Sequence, residues 1–323
     1  MSPLFTWMGL LGAAMIASAA IAAGPDDAER QIRIIVPWGA GGGTDATARI
    51  LARLMKERLD VPVGVVNQPQ RASAAGHAAI AAAKPDGHTL GVLTSDSGIL
   101  RRQGLIDRGH ESFTLLALYN ADAAAVHVRA NAPFRNLREL LNALNGEPAR
   151  YRASGGSTGG IWHLALGRLL EKAGLSSDAL AWVPRSGVAP AFADLIAGRV
   201  DVVICSLAEA QVFREAGLVR SLAVLDEARS AEFPDVPTVR QAAGLDVTFF
   251  AWRGLVAPAG LPEKVIERLV PALEEIHGSR EFRDFMMKRG FGVVWKSPTA
   301  FREFLTESDV DVGAAMAYLG LDR

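Results

Sequence analysis

Apolar residues recur along the chain in two alternating rhythms: short β-branched runs, and longer stretches with the three-to-four-residue spacing of a helix. The run at 32–36 predicts a strand that Pro37 stops, and 46–59 follows with helical spacing. Strand 63–66, an Ala-rich helix at 74–83 and strand 89–93 come next, with Lys84-Pro85-Asp86-Gly87 as a turn. Strands are expected at 115–119 and 124–128, and a helix at 134–144, led in by Asn131-Ala132-Pro133. A new unit opens with strand 150–153, a glycine loop and helix 161–173, and continues through strand 182–183, helix 189–197, strand 200–204, helix 207–216 and strand 221–224. Residues 233–238 read as a loop, 249–256 as a strand, and 262–277, 280–289 and 299–316 as helices. This alternation predicts an α/β protein with a mostly parallel sheet covered on both faces, repeated twice. Ligands of such sheets bind outside the carboxyl ends of the strands.

Two strand-to-helix junctions stand out. The first, IRIIVPWGAGGGTD, runs Gly39, Gly41, Gly42, Gly43, Thr44, Asp45 into the helix. Glycines there leave unpaired N–H groups at the positive end of a helix dipole, a ready anion site. Asp45 opens the helix, where its carboxylate caps N–H groups or accepts a ligand's donor. The second junction, Ser154-Gly155-Gly156-Ser157-Thr158-Gly159-Gly160, repeats the design in the other half of the chain. The two loops are expected to face each other across a cleft and hold one anion. The alternative for Ser157 and Thr158 is a plain helix cap.

Composition narrows the function. With 34 basic and 35 acidic residues among 323, and no long basic tract, the chain lacks the phosphate-neutralising surface of a nucleic-acid binder. Residues 4–23 carry no charge, and Ala20-Ile21-Ala22 has the small-x-small pattern of a signal peptidase site. Residues 1–23 are therefore expected to be a signal peptide directing export to the periplasm, with an uncleaved anchor as the alternative. Cys205 is the sole cysteine, which excludes an intrachain disulfide and a Cys-rich zinc site. Six scattered histidines show no metal-ligand spacing, so neither metal nor cofactor is expected.

Two enzyme motifs are present but incomplete. Residues 155–159 match G-x-S-x-G, which makes a secreted serine hydrolase using Ser157 the rival reading. That chemistry needs a downstream acid and then a histidine; only His163, on the same helix, and His277, at a helix end, follow. Residues 41–46 fit G-x-G-x-x-A, but Val66 and Asn67 occupy the place of the ribose-binding acid. Trp182, Phe250 and Trp252 are candidates for a cleft wall, or for core.

In order and spacing, several strings resemble the substrate-binding proteins of tripartite tricarboxylate transporters, the Bug family. They are IRIIVPWGAGGGTD with Arg49, VVNQP, KPDGHTL, SGGSTGGIWHLA, VPRSG, DLIAGRVDVVIC, FPDVPTVRQAAG, FFAWRGLVAPAGLP and KRGFGVVWKSPTAF. The resemblance implies a two-domain periplasmic-binding-protein fold of type II kind, with the ligand cleft between the domains. Residues 31–128 plus 252–323 would form one domain and 129–251 the other. It implies a monomer that closes on a small organic carboxylate and delivers it to membrane permease subunits. A ligand sensor for a signalling receptor is the variant of this reading.

The candidate site on one wall is Trp38, Gly39, Gly41, Gly42, Thr44 and Asp45, joined by Ser73 and Thr94. On the other it is Ser154, Ser157, Thr158 and His163, joined by Arg185 and Ser206. Two loops depart from the family pattern. The usual Gly-Ala-Gly-Gly reads Gln70-Arg71-Ala72-Ser73 here, and Pro-Tyr-Lys-Gly reads Pro184-Arg185-Ser186-Gly187. Both bring in an arginine, whose planar fork suits a second carboxylate, so a preference for diacids is expected.

Overall fold

A computed structural model of the protein describes residues 31–70, 73–106 and 109–322. The expected signal peptide and cleavage site, and Arg71, lie outside the described residues. The first half of the chain runs β1 (Ile32–Val36), α1 (Gly43–Leu59), β2 (Val63–Asn67), α2 (Ala74–Ala82), β3 (Thr89–Thr94), α3 (Asp96–Arg102) and β4 (Phe113–Arg129). Then come α4 (Leu137–Gly146), β5 (Tyr151–Ser154), α5 (Ile161–Lys172), β6 (Leu180–Trp182), α6 (Val188–Ile196), β7 (Val202–Ser206), α7 (Leu207–Glu215) and β8 (Val219–Val224). The chain closes with α8 (Val239–Ala243), β9 (Phe250–Pro258), α9 (Glu263–Gly278), α10 (Arg280–Lys288) and α11 (Pro298–Tyr318).

The strands form one curled sheet in the order β2-β1-β3-β9-β4-β7-β5-β6, with β8 also paired to β4. Its two flanks are parallel, β1 with β2 and β3, and β5 with β6 and β7. The middle is not. There β9 runs antiparallel to β3 and β4, and β4 antiparallel to β7 and β8. The expectation of a mostly parallel sheet therefore holds only for the flanks, because two strands carry the chain from one half to the other and back.

β4 is also one strand of 17 residues rather than two short ones. Asn120 and Asp122 interrupt its apolar pattern and read as a break, yet both are buried and paired opposite Arg253 and Ala251 of β9. A buried polar pair is tolerated in a strand when the neighbouring strand supplies its partners.

Each flank has its own apolar core. Ile34, Val36, Leu51, Met55 and Leu90 belong to one; Val126, Leu166, Phe192 and Val203 belong to another. α11 serves both halves. Its Phe301 and Leu305 pack with Leu118 and Trp252, while Val312, Ala315 and Met316 pack with the residues of α5. Gly254 makes this possible, since a Cβ there would lie 2.2 Å from the Phe301 ring. Burying Phe301 contributes about 1.5–3 kcal/mol and anchors the last helix at its start. Among the described residues, no helix is long and apolar enough to cross a membrane.

Candidate functional site

A cleft of about 340 Å³ opens where the strands of both flanks end. One wall is Trp38, just after β1, Thr44 in the first turn of α1, and Thr94-Ser95-Asp96 between β3 and α3. The other wall is built from Gly155-Gly156-Ser157 after β5, the start of α5, and Arg185 to Val188 after β6, with Glu209 of α7. Ala251, Trp252 and Arg253 of β9 complete the lining.

Three of the helices reaching the cleft begin the same way. α1, α5 and α6 have glycine N-caps, Gly42, Gly160 and Gly187, and none carries a side-chain cap. Among helices that start elsewhere, α9 and α11 also lack a side-chain cap, but others are closed off. Asn136 caps α4, Thr238 caps α8 in a capping box, and Ser279 caps α10. An uncapped start leaves N–H donors and the dipole's positive end facing whatever enters. Neither Ser157 nor Thr158 acts as a cap; both are exposed on the loop.

The loops are held rigidly behind this surface. Ser154 Oγ donates to the Val183 carbonyl at 2.7 Å, and the Arg185 N–H donates to the Gly156 carbonyl at 2.9 Å, tying the two loops together. Gly155 leaves no room for a side chain, as a Cβ would stand 2.2 Å from the Ile204 carbonyl oxygen. The Gly159 N–H donates to His163 Nδ1 at 3.0 Å, and the imidazole stacks on Trp182 with centroids 4.5 Å apart. Burial pushes His163 down to about 4, so it stays neutral and braces the loop. Ser154 and His163 thus shape the site from behind; neither lines the cleft.

On the opposite wall Asp45 has the same kind of duty. Its carboxylate accepts from the Gly41 N–H (2.9 Å), Arg49 Nε (2.9 Å) and Asn67 Nδ2 (2.9 Å). Burial alone would raise its pKa, but these hydrogen bonds hold it below the usual carboxylate value. Gly39, Gly41 and Gly42 are exposed on the loop beside the cleft. Ser73 is buried at a left-handed φ of 76°, and its hydroxyl has no partner among the described residues. Ser206 caps α7 and lines a separate hollow of about 530 Å³ behind the crossing strands. Of the expected residues, the structure brings Trp38, Thr44, Thr94, Ser157 and Arg185 together in one cleft.

Arg185 is not a free grip. Its Nε and Nη2 engage Asp194, and Nη1 donates to the Pro184 carbonyl at 2.7 Å. Asp194 also takes Arg199 at 2.6 Å; Arg199 and then Arg185 hold its carboxyl below the usual range.

The residues that sequence reasoning passed over are Arg253, Asp96 and Glu209. Arg253 donates through Nη1 to Asp122 at 2.6 Å and to Asn120, and through Nε to Thr44 at 3.1 Å. Burial works against its charge, but Asp122 outweighs that and keeps the guanidinium charged. Asp96 accepts from Thr94 Oγ1 at 3.2 Å. Glu209 accepts from the Ser206 N–H and hydroxyl as the third residue of α7. Crowding by protein raises both carboxyls, although Glu209 is open to the water of the cleft. A signal for Arg253 was present, as an arginine inside the apolar strand FAWRGLVAP.

Ser157 has no base. Its hydroxyl makes no hydrogen bond among the described residues, and His163 Nδ1 is committed to Gly159.

Relatives agree. A family model described as the tripartite tricarboxylate transporter family receptor matches residues 47–321. A UPF0065 protein in the tcbD-tcbE intergenic region of Pseudomonas sp. (strain P51) is 34% identical over 245 residues, 74% of this chain and 71% of that protein. The crystal structure of a TctC solute binding protein from Polaromonas, without ligand, matches at a TM-score of 0.78 and 31% identity, covering 90% of this chain and 97% of that one. The periplasmic binding protein BugD matches at 0.72 and 26% identity, over 91% of this chain and 99% of its own. Such relatives are solute-binding proteins rather than enzymes. With the family match spanning most of its length and the periplasmic-binding-protein fold around an uncapped cleft, the chain belongs to the tripartite tricarboxylate transporter receptor family, the Bug-type solute-binding proteins.

Proposed function

We propose that this protein is exported to the periplasm, captures a small organic carboxylate in the cleft and presents it to the permease subunits of a tripartite tricarboxylate-type transporter. The observation that carries the reading is the set of three glycine-capped helix starts, Gly42, Gly160 and Gly187, on one cleft. A carboxylate supplies the acceptors that side-chain caps supply at α4, α8 and α10. These starts lie on opposite walls, so only a closed form lets one ligand reach them all. Ligand binding then favours closure because the open form makes fewer of these contacts. Residues 31–128 with 252–323 move as one body, and 129–251 as the other.

A thermal-shift panel of mono-, di- and tricarboxylates tests this directly. At about 100 Kd a ligand stabilises the folded state by roughly 2.7 kcal/mol, which shifts the melting temperature visibly. The scattering radius should fall with the same ligand. A panel without a single shift rejects the carrier reading.

A further inference from the structure

The segment that leads from β6 into α6 presents main-chain donors the protein leaves unused. Among the described residues, the N–H groups of Ser186, Gly187, Val188 and Ala189 have no backbone acceptor, and Pro190 has no N–H to offer. Ser186, Gly187 and Val188 line the cleft. A run of N–H groups holds an anion well only where its backbone is already fixed. Gly187 works against that, because glycine has the most conformational freedom to lose.

Arg185 supplies the restraint. Its own N–H is tied to the Gly156 carbonyl, Nη1 to the Pro184 carbonyl, and Nε and Nη2 to Asp194 Oδ2. All three guanidinium nitrogens are thus engaged within the protein. Asp194 is buried on α6 and does not line the cleft. Its other oxygen, Oδ1, accepts from Arg199 Nε at 2.6 Å, and its carbonyl accepts from the Arg199 N–H at 2.8 Å. The carboxylate that holds Arg185 is therefore itself held from the far side.

Resting on the carrier reading, we propose that Arg185 and Asp194 are positioning residues. The arginine braces residues 186–189, and their main-chain N–H groups take the carboxylate. A guanidinium that turned to the ligand instead would leave Asp194 Oδ2 buried and unanswered, so gripping would cost what it gains. The arginine then adds no second carboxylate grip, contrary to the diacid preference expected from sequence.

Isothermal titration with matched probes tests this: butanoate against succinate, and pentanoate against glutarate. Arg185→Ala and Asp194→Asn are each expected to weaken monoacid and diacid alike, by about tenfold, because loosened donors must be ordered on binding. The double variant should bind no worse than Arg185→Ala alone, since both remove one brace. NMR order parameters give a readout that general destabilisation would not: they should fall for the amides of 186–189 and hold in α4 and α10. Where Arg185→Ala fails to fold, Arg185→Lys, which keeps a charge for Asp194, is read in the same way with a smaller loss. A loss confined to the diacids, with Asp194→Asn binding as tightly as wild type or tighter, makes Arg185 a grip and overturns the brace. Additive losses in the double variant, unchanged order at 186–189, or wild-type affinity in Arg185→Ala overturn it too, and leave carboxylate capture standing. If the wild-type protein binds neither these probes nor any of the wider carboxylate panel, the carrier reading fails and this proposal with it.

Discussion

Arg253 of β9 and Asp122 of β4 form a 2.6 Å ion pair across the two strands that join the halves of the fold. The pair lies between two spaces, since Arg253 lines the ligand cleft and Asp122 lines the hollow behind it. Asn120 braces the arginine, and the Gly292 N–H donates to Asp122 at 2.8 Å. Charge is thus placed at the crossing by satisfied hydrogen bonds rather than by exposure to water.

Breaking that pair from one side should be costly. Arg253→Met or Asp122→Asn is expected to lower unfolding free energy by about 3–5 kcal/mol, because either leaves an unanswered buried charge or donor. The double variant should recover much of the loss. Urea unfolding of all four forms gives the coupling; additive losses would mean the two side chains act independently.

Filling an uncapped helix start should trade binding for stability. At Gly42 a Cβ meets nothing closer than the Gly39 carbonyl oxygen at 3.8 Å, so Gly42→Asp fits. The new carboxylate caps α1 and, replacing a glycine, stabilises the free protein by roughly a few tenths of a kcal/mol. It also occupies the donors meant for the ligand, so affinity should drop by at least about tenfold. A raised melting temperature with unchanged affinity would show that α1 does not face the bound anion.

Ser157→Ala separates carrier from hydrolase. One neutral hydrogen bond is worth roughly 0.5–1.5 kcal/mol, so binding should stay within about tenfold. Wild-type protein is expected to turn over no ester or amide. Hydrolysis that disappears with this substitution would reverse the assignment.

Acid should weaken the fold before the carboxylates titrate. Burial pushes His127 down to about 3, and His77 and His163 each to about 4, from 6.5. His127 Nε2 donates to the Cys205 carbonyl at 3.2 Å, which makes Nδ1 the acceptor from Ser221, a neutral arrangement. The unfolded chain takes up protons below pH 6.5 that the folded chain refuses. Stability is therefore level above that value and declines on acidification, by up to ~1.4 kcal/mol per pH unit for each histidine. The decline levels off as each folded value is passed. Unfolding measured between pH 7.5 and about 5 should show this slope, and His127→Gln should make it shallower; an unchanged slope would exclude His127 as a contributor.

Much of this was legible in local pattern. β1 was expected at 32–36 and is Ile32–Val36, and α5 was expected at 161–173 and is Ile161–Lys172. Apolar periodicity, Pro37 and the glycines act within a few residues and need no tertiary information. α3 was missed because seven residues hold too little periodicity. α8 was missed although Thr238 and Gln241 make a capping box readable from spacing alone. α1 begins at Gly43, inside the loop assigned to the ligand, because the glycines there adopt helical geometry.

By itself, then, the chain determined its alternating elements, its two glycine junctions and, through the order of its motifs, its family. Tertiary structure alone decided which charges are paired, and with what. Asp45 and Arg185 looked available in sequence, but the fold gives them Gly41, Arg49 and Asn67, and Asp194. Arg253 looked like a polar interruption, and its partner Asp122 lies 131 residues away. Element formation is decided by neighbours a few positions apart, whereas charge pairing is decided by whichever side chains the crossing strands bring within about 4 Å, where the Coulomb attraction in a buried setting is several kcal/mol.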